Sequence, residues 1–393
     1  MKKTTLRTLL AGTILCGFSA QASAVDATPS DHPTPYGSNR CDWLFCEGTV
    51  TVSADWLHWI VKEENLNVAT EITTAQAPET YLTSYYKEKK IAPEFKFENG
   101  FKCCIGYELP GEHWEASAIF TYLPLHARTD FFDSTPPEPI QRSDTRELAL
   151  EAAKAEKSDQ PFAQPRQYQM SREIKLNTAN FGILRNPIET KRPIIKTLEG
   201  RWDANYSNLD LDMARRLQFG DCFSITPHMG FRAFWMYQKF HIDGRYATIL
   251  NSEERSKFQA IFKEKIQGFG AEGGLWANWE LGSGFALIGH FGGSILYSHF
   301  RVKESYDLYK TTAQRNGELA EIVIDSGIEK TNKRVGIPTM DYFLGLQTSQ
   351  SICGYDYAIW VGWEQHILFN INQLTNGANL SAQGITAGLA VSF

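Results

Sequence analysis

The sequence predicts an all-β chain: a transmembrane antiparallel β-barrel of about ten strands (range 10–16), with short periplasmic turns and long extracellular loops. Three observations carry this. The first 24 residues have the layout of an export signal. Beyond them, no run approaches the roughly 18–20 apolar residues that a spanning helix needs. And the last residues alternate over the width of a membrane: Ile385, Ala387, Leu389, Val391 and Phe393 point one way, Gly384, Thr386, Gly388, Ala390 and Ser392 the other. A membrane strand needs about 9–11 residues of this period-two pattern, apolar toward lipid and small or polar toward the lumen. With 24 Phe, 16 Tyr and 10 Trp the chain is too rich in core-forming side chains to be disordered.

At the N-terminus, Lys2, Lys3 and Arg7 precede an apolar segment over 9–18, and Ala22-Ser23-Ala24 is an A-x-A cleavage site. Residues 1–24 are therefore read as a signal peptide cleaved after Ala24, 25–47 as a periplasmic segment, and 48–393 as the barrel. Leu15 before Cys16 is not the small residue that a lipid attachment site wants. Cleavage leaves 36 basic against 45 acidic residues, net −9. That balance argues against nucleic acid as a partner, since a basic face is the main source of such affinity. The expected surroundings are outer-membrane lipid and the barrel-assembly machinery, with Phe393 as the C-terminal insertion signal.

Ten strands are predicted, at 48–62, 94–109, 112–124, 200–213, 223–240, 263–280, 284–300, 336–350, 354–369 and 380–393. In the second, Phe95, Phe97, Phe101, Cys103, Ile105 and Tyr107 alternate with Lys96, Glu98, Gly100, Lys102, Cys104, Gly106 and Glu108. In the ninth, Tyr355, Tyr357, Ile359, Val361 and Trp363 alternate with Asp356, Ala358, Trp360, Gly362, Glu364 and His366. Short links at Pro110-Gly111, Gly220-Asp221, Gly282-Ser283-Gly284 and 351–354 alternate with long polar ones at about 65–93, 125–198, 241–262, 301–335 and 370–379. That rhythm fits periplasmic turns and extracellular loops. An even count places both ends in the periplasm. The 125–198 link is either an extracellular loop or a lumenal constriction, in which Asp144-Thr-Arg-Glu147 would cap a helix over 144–157.

The strings Cys41-Asp-Trp-Leu-Phe-Cys46, Ala54-Asp-Trp-Leu-His-Trp59, Trp202-Asp-Ala-Asn-Tyr206, Phe231-Arg-Ala-Phe-Trp235, Phe269-Gly-Ala-Glu-Gly-Gly-Leu-Trp276 and Leu380-Ser-Ala-Gln-Gly-Ile-Thr386 resemble the major-outer-membrane-protein-like barrels of Legionella and the chlamydiae. The resemblance spans about 41–393 and rests on strand texture and short strings. It implies a pore-forming outer-membrane protein without catalytic residues. The long 125–198 link and the small strand count depart from a wide general porin.

On such a barrel Cys41, Cys46, Cys103, Cys104, Cys222 and Cys353 all fall toward the periplasmic side, where disulfides persist. They are candidates for disulfides within the chain, with Cys41–Cys46 favoured, or for cross-links to envelope partners or a homo-oligomer; cross-linking also fits what the resemblance implies for chlamydial envelopes. Cys103 can equally be a small apolar residue facing lipid. The cysteines lack C-x-x-C spacing, so no metal is expected.

Gly268-x-Gly270-x-x-Gly273 matches the dinucleotide fingerprint in letters, but it continues into alternating residues rather than a helix, so it is not read as a cofactor site. Glu364-x-His366 puts two polar groups on one strand face, which is more often a solvated wall than an acid–base pair. No cofactor and no enzymatic activity are expected. The residues assigned to the pore lining are Lys102, Arg232, Glu272, Asp341 and Glu364, with Lys102 and Glu272 near mid-height and the other three higher. A register slip would put Lys102 or Arg232 in lipid at roughly 2–4 kcal/mol, which favours the inward placement. Two functions remain open: passive diffusion of small hydrophilic solutes with a weak cation preference, or a structural or adhesive barrel with a filled lumen that displays its loops.

Overall fold

The computed structural model describes residues 49–76, 84–110, 114–129, 132–133, 169–176, 194–248, 251–313, 319–373 and 377–393. Ten long antiparallel strands form a closed barrel: β1 (Thr49–Glu63), β5 (Phe97–Glu108), β6 (Trp114–Arg128), β9 (Ile194–Arg215), β11 (Phe223–Thr248), β12 (Asn251–Gly282), β13 (Phe285–Ala313), β14 (Leu319–Ile352), β15 (Tyr355–Leu368) and β16 (Leu380–Ser392). Each pairs with the next, β6 with β9 and β9 with β11, and β16 closes onto β1 with Thr51 opposite Ser392. Closure removes the exposed edges that an open sheet presents. Short pieces β4 (Glu94–Phe95), β7 (Phe132–Asp133) and β10 (Leu217–Phe219) extend the rim, while β2 (Ala69–Gln76), β3 (Ser84–Ile91) and β8 (Gln169–Leu176) make a separate three-stranded sheet. All described regular structure is strand.

The periplasmic turns behave as expected. The β14–β15 turn needs left-handed backbone at Cys353 (φ 54°) and Gly354 (φ 84°), and the β12–β13 turn at Gly282, Ser283 and Gly284. Two consecutive positive φ values are what a tight hairpin turn demands. Phe393 is tied to the first strand by reciprocal backbone bonds with Val50 (2.9 and 3.0 Å).

The strands differ from expectation in length. Residues 241–262 and 301–335, read as polar links, lie for the most part in β11, β12, β13 and β14. The reason is visible along β12. From 269 to 281 its outward residues are apolar, with Phe269, Leu275, Trp279 and Leu281 exposed, while Glu272 and Asn278 are buried inside. From 257 to 267 the pattern inverts: Lys257, Lys263, Lys265 and Gln267 face out, and Phe258, Ala260, Phe262 and Ile266 are buried. The first stretch rises about 30 Å at ordinary strand spacing and tilt, the thickness of a hydrocarbon core. The second follows the ordinary rule for water, apolar in and polar out. The barrel therefore passes through lipid and continues well beyond it.

The links at 65–93 and 125–198 also hold strands, namely β2, β3, β7 and β8. The signal peptide, the 25–47 segment, Cys41, Cys46 and the helix over 144–157 lie outside the described residues.

Candidate functional site

The barrel interior has two layers, set by which residues fall on the inward parity of each strand. The outer layer, from about the lipid boundary outward, is apolar and takes side chains from nearly every barrel strand. Leu57, Trp59, Leu123, Leu198, Trp202, Phe234, Phe240, Phe258, Phe262, Leu296, Phe300, Ile337 and Leu380 are each at most 1% exposed. Two connections close over it. After the left-handed turn at Asn65, Leu66 and Val68 fold into the layer, and so does Ile371 from the β15–β16 link, held by a bond from its N–H to the Ala378 carbonyl (2.8 Å). Among the polar groups caught in the layer, Ser298 Oγ and both Glu63 carboxylate oxygens have no hydrogen-bond partner among the described residues, while others are paired. Trp202 Nε1 donates to Gln238 (3.0 Å), Gln238 donates to Glu264, and the Gln373 backbone N–H donates to Glu264 (3.2 Å). Such partners offset the cost of burying an amide and a carboxylate.

Beneath it lies a charged layer at membrane level. All five residues assigned to the pore lining point inward and take part in one chain of contacts. Lys102 Nζ lies 2.5 Å from Glu364 and 3.9 Å from Asp55. Glu364 meets His366 Nε2 at 2.8 Å, and His366 Nδ1 meets Asp341 at 2.6 Å. Asp341 meets Arg232 Nη1 at 2.5 Å, and Arg232 Nε lies 2.8 Å from both Asp210 and Glu272. Arg232 Nη2 adds a second bond to Asp210 (3.1 Å), the two-pronged geometry that suits a guanidinium. Thr386 donates to Glu364 (2.7 Å) and is itself bonded by Trp59 Nε1 (3.0 Å), which joins the charged layer to the apolar one.

Lys102, expected lower than Glu364, is level with it. Asp55, Asp210 and His366 complete the chain, and their signal was present as inward parity on β1, β9 and β15. Five carboxylates surround Lys102 and Arg232, so the layer is acid-rich. Below it, His228 Nε2 lies 3.0 Å from His290 Nε2, His290 stacks on Trp276, and His228 Nδ1 lies 3.5 Å from Asp212. A cavity of about 170 Å³ runs from Glu108, Glu115 and Arg216, near the periplasmic end, up to Asp341 and His366. Glycines shape it: on β16, a Cβ at Gly388 would strike the Trp360 ring and Asp55. Gly268, Gly270 and Gly273 lie within β12, where strand continues on both sides, so they hold no helix against a pyrophosphate.

Cys103 is exposed on the lipid side, Cys104 borders the cavity, and Cys222 and Cys353 are exposed at the periplasmic turns. These four are free thiols. Among the described residues no group of His, Cys, Asp and Glu is arranged to hold a metal ion.

A family model described as the Legionella pneumophila major outer membrane protein precursor matches residues 49–392, which is the whole barrel. The chain belongs to the Legionella major outer membrane protein family. It is a β-barrel of the bacterial outer membrane. No curated protein matches. Similar solved structures include the outer membrane protease OmpT from Escherichia coli, at 10% identity over 88% of this chain and 97% of that one, with a TM-score of 0.31. A major outer membrane protein from Thermus thermophilus is 10% identical over 88% and 99%, with a TM-score of 0.27. The CymD monoaromatic hydrocarbon channel is 10% identical over 88% of each chain, at 0.29. For this member of the Legionella family the interior, not the likeness, has to carry the functional argument.

Proposed function

We propose that this barrel is a closed envelope protein: it anchors an extracellular β-walled head in the outer membrane and displays the loops that the head carries. The observation behind this reading is the apolar layer. Passive diffusion needs a continuous aqueous path, and side chains from across the barrel, including Trp59, Trp202, Phe240 and Phe300, fill the cross-section with at most 1% exposure. A ten-stranded barrel is narrow enough for side chains to fill. The charged layer then acts as a girder: its opposite charges pair across the lumen instead of standing apart to set a field for passing ions.

A second reading, a diffusion pore for small hydrophilic solutes, draws support from the acid-rich cavity at membrane level. It requires the Leu66–Val68 and Ile371 connections and the apolar layer to move aside. Planar-bilayer recording of the refolded full chain separates the two. Silence with intact heat-modifiable mobility is expected for a closed barrel; discrete steps in every insertion would establish the pore.

A further inference from the structure

The outward face of β11–β14, just beyond the lipid boundary, carries a basic surface that the reading above does not use. The boundary itself is marked by Trp235, Phe269 and Tyr297, all exposed. One register row above Phe269 stand Gln267, His299 and Arg334, with Trp235 opposite Gln267. The next row pairs Lys265 with Arg301, and the one above it aligns four lysines: Lys239 opposite Lys263, Lys263 opposite Lys303, and Lys303 opposite Lys330. Directly opposed like charges on neighbouring strands disfavour pairing. A row of four therefore calls for an external counter-charge. The chain as a whole is net −6, so this face reverses the sign of the molecule.

The protein does not supply that counter-charge. Among the described residues, no carboxylate lies within 4.0 Å of Lys263, Lys303, Lys330 or Arg334. The nearby acids are engaged, turned away or, like Asp307 opposite Gln259, two register rows beyond the lysines. Asp203, in register with Lys239, is held by Arg201 at 3.0 Å; Asp243 is held by His241 at 3.3 Å and by Gln259 at 2.7 Å; Glu304 and Glu329 oppose each other on the inward parity. Lys265 lies over the Tyr237 ring at 5.7 Å, and Arg301 Nε donates to His299 at 3.2 Å, so both stems are pre-placed along the wall.

We propose that this face binds the phosphates of a multiply phosphorylated saccharolipid of the outer leaflet. Height decides between lipids. Measured along β12 at strand spacing and barrel tilt, Gln267, Lys265 and Lys263, one from each row, stand about 5, 10 and 15 Å above Phe269, and the tilt shifts a row by about 3 Å more for each neighbouring strand, which widens the range of heights. The polar layer of an ordinary phospholipid leaflet is only about 5–8 Å deep, so a single headgroup phosphate reaches the first row alone. A lipid with phosphates on successive sugars reaches all three while its acyl chains lie on the apolar band below. The inference rests on the orientation with short turns in the periplasm and is independent of whether the lumen conducts.

The test is binding of the refolded full chain, in detergent micelles, to purified lipopolysaccharide, the same lipopolysaccharide after chemical dephosphorylation, phosphatidylglycerol, inorganic phosphate and heparin, read by native mass spectrometry and by the midpoint of heat-modifiable mobility. Lipopolysaccharide is expected to bind and raise the midpoint, with at least tenfold weaker binding after dephosphorylation or in the variant combining Lys263→Gln, Arg301→Gln and Lys303→Gln. The control Arg201→Gln should bind as the parent does. If the triple variant does not refold, the single substitutions are read instead, each expected to weaken binding two- to fivefold. Equal binding by variant and parent, equal binding of the dephosphorylated lipid, or tighter binding of phosphatidylglycerol or phosphate would overturn the proposal. Preference for heparin would overturn it in favour of a soluble polyanion.

Discussion

Replacing Arg232 by Met is the sharpest test of the charged layer. Arg232 is 8% exposed and is the only cation touching Asp210, Glu272 and Asp341 among the described residues, His366 aside. Met preserves much of the stem's volume and removes every polar contact, so the change isolates charge. Three carboxylates would then face one another without their guanidinium, with Asp341 keeping only His366. Breaking a buried pair by removing one partner costs about 3–5 kcal/mol in water-soluble proteins, because the remaining charge is stranded. The cavity below admits some water, so the lower end is expected here. A loss of about 3 kcal/mol moves a urea midpoint by about 1 M or more, given slopes of about 1–3 kcal/mol per molar. The assay is urea unfolding in lipid vesicles followed by tryptophan fluorescence and heat-modifiable mobility. Arg232→Lys should recover part of the loss, since it restores the charge but not the paired bonds to Asp210. Adding Glu272→Gln and Asp341→Asn to Arg232→Met should also recover part. An unchanged midpoint for Arg232→Met would refute the girder argument, and a fully stable variant that conducts would favour the pore.

Further outcomes are expected elsewhere. Phe240→Ala, in the apolar layer, should cost about 3–5 kcal/mol in the same unfolding assay, because little of the cavity can collapse between stiff strands. Leu344→Arg, at a lipid-facing position 61% exposed, should cost about 2–4 kcal/mol in vesicle refolding, whereas Lys265→Leu, above the lipid boundary, should cost less than about 0.5 kcal/mol. In intact cells with a permeabilised outer membrane, a charged maleimide should label Cys222 and Cys353 at once and Cys103 slowly, since lipid covers the last; immediate labelling of Cys103 would move the lipid boundary.

Much of the fold was legible because a membrane strand writes its two faces in plain alternation. The inward placement of Lys102, Arg232 and Glu364 follows from parity together with the cost of a charge in lipid. Two things were hidden. One was the outer half of β11–β14: polar residues face outward there, and segments such as 241–262 read as loop because polar and charged residues together outnumber the apolar ones. The other was height. Counting from the nearest turn placed Lys102 below Glu364, yet their side chains touch. Tilted strands in a closed barrel are staggered, so equal counts on different strands do not mean equal depth. Asp55 and Asp210 share inward parity with the rest, but parity alone does not single out which of many inward polar residues will converge on one arginine.

The reversal of faces along β12 also constrains how the chain can reach its final place. Lys263, Lys265, Arg301, Lys303 and Lys330 end up outside, so the tips that bear them must traverse the bilayer during assembly. Exposed to lipid on the way, each would cost about 2–4 kcal/mol at the midplane, together about 10–20 kcal/mol. Passing through the interior of a still-open sheet avoids that cost, because the charges meet water while the phenylalanines of the opposite face stay together. The hairpins β11–β12 and β13–β14 are thus expected to thread outward before β16 zips onto β1. The closing seam, with Phe393 at its end, would be the last joint made.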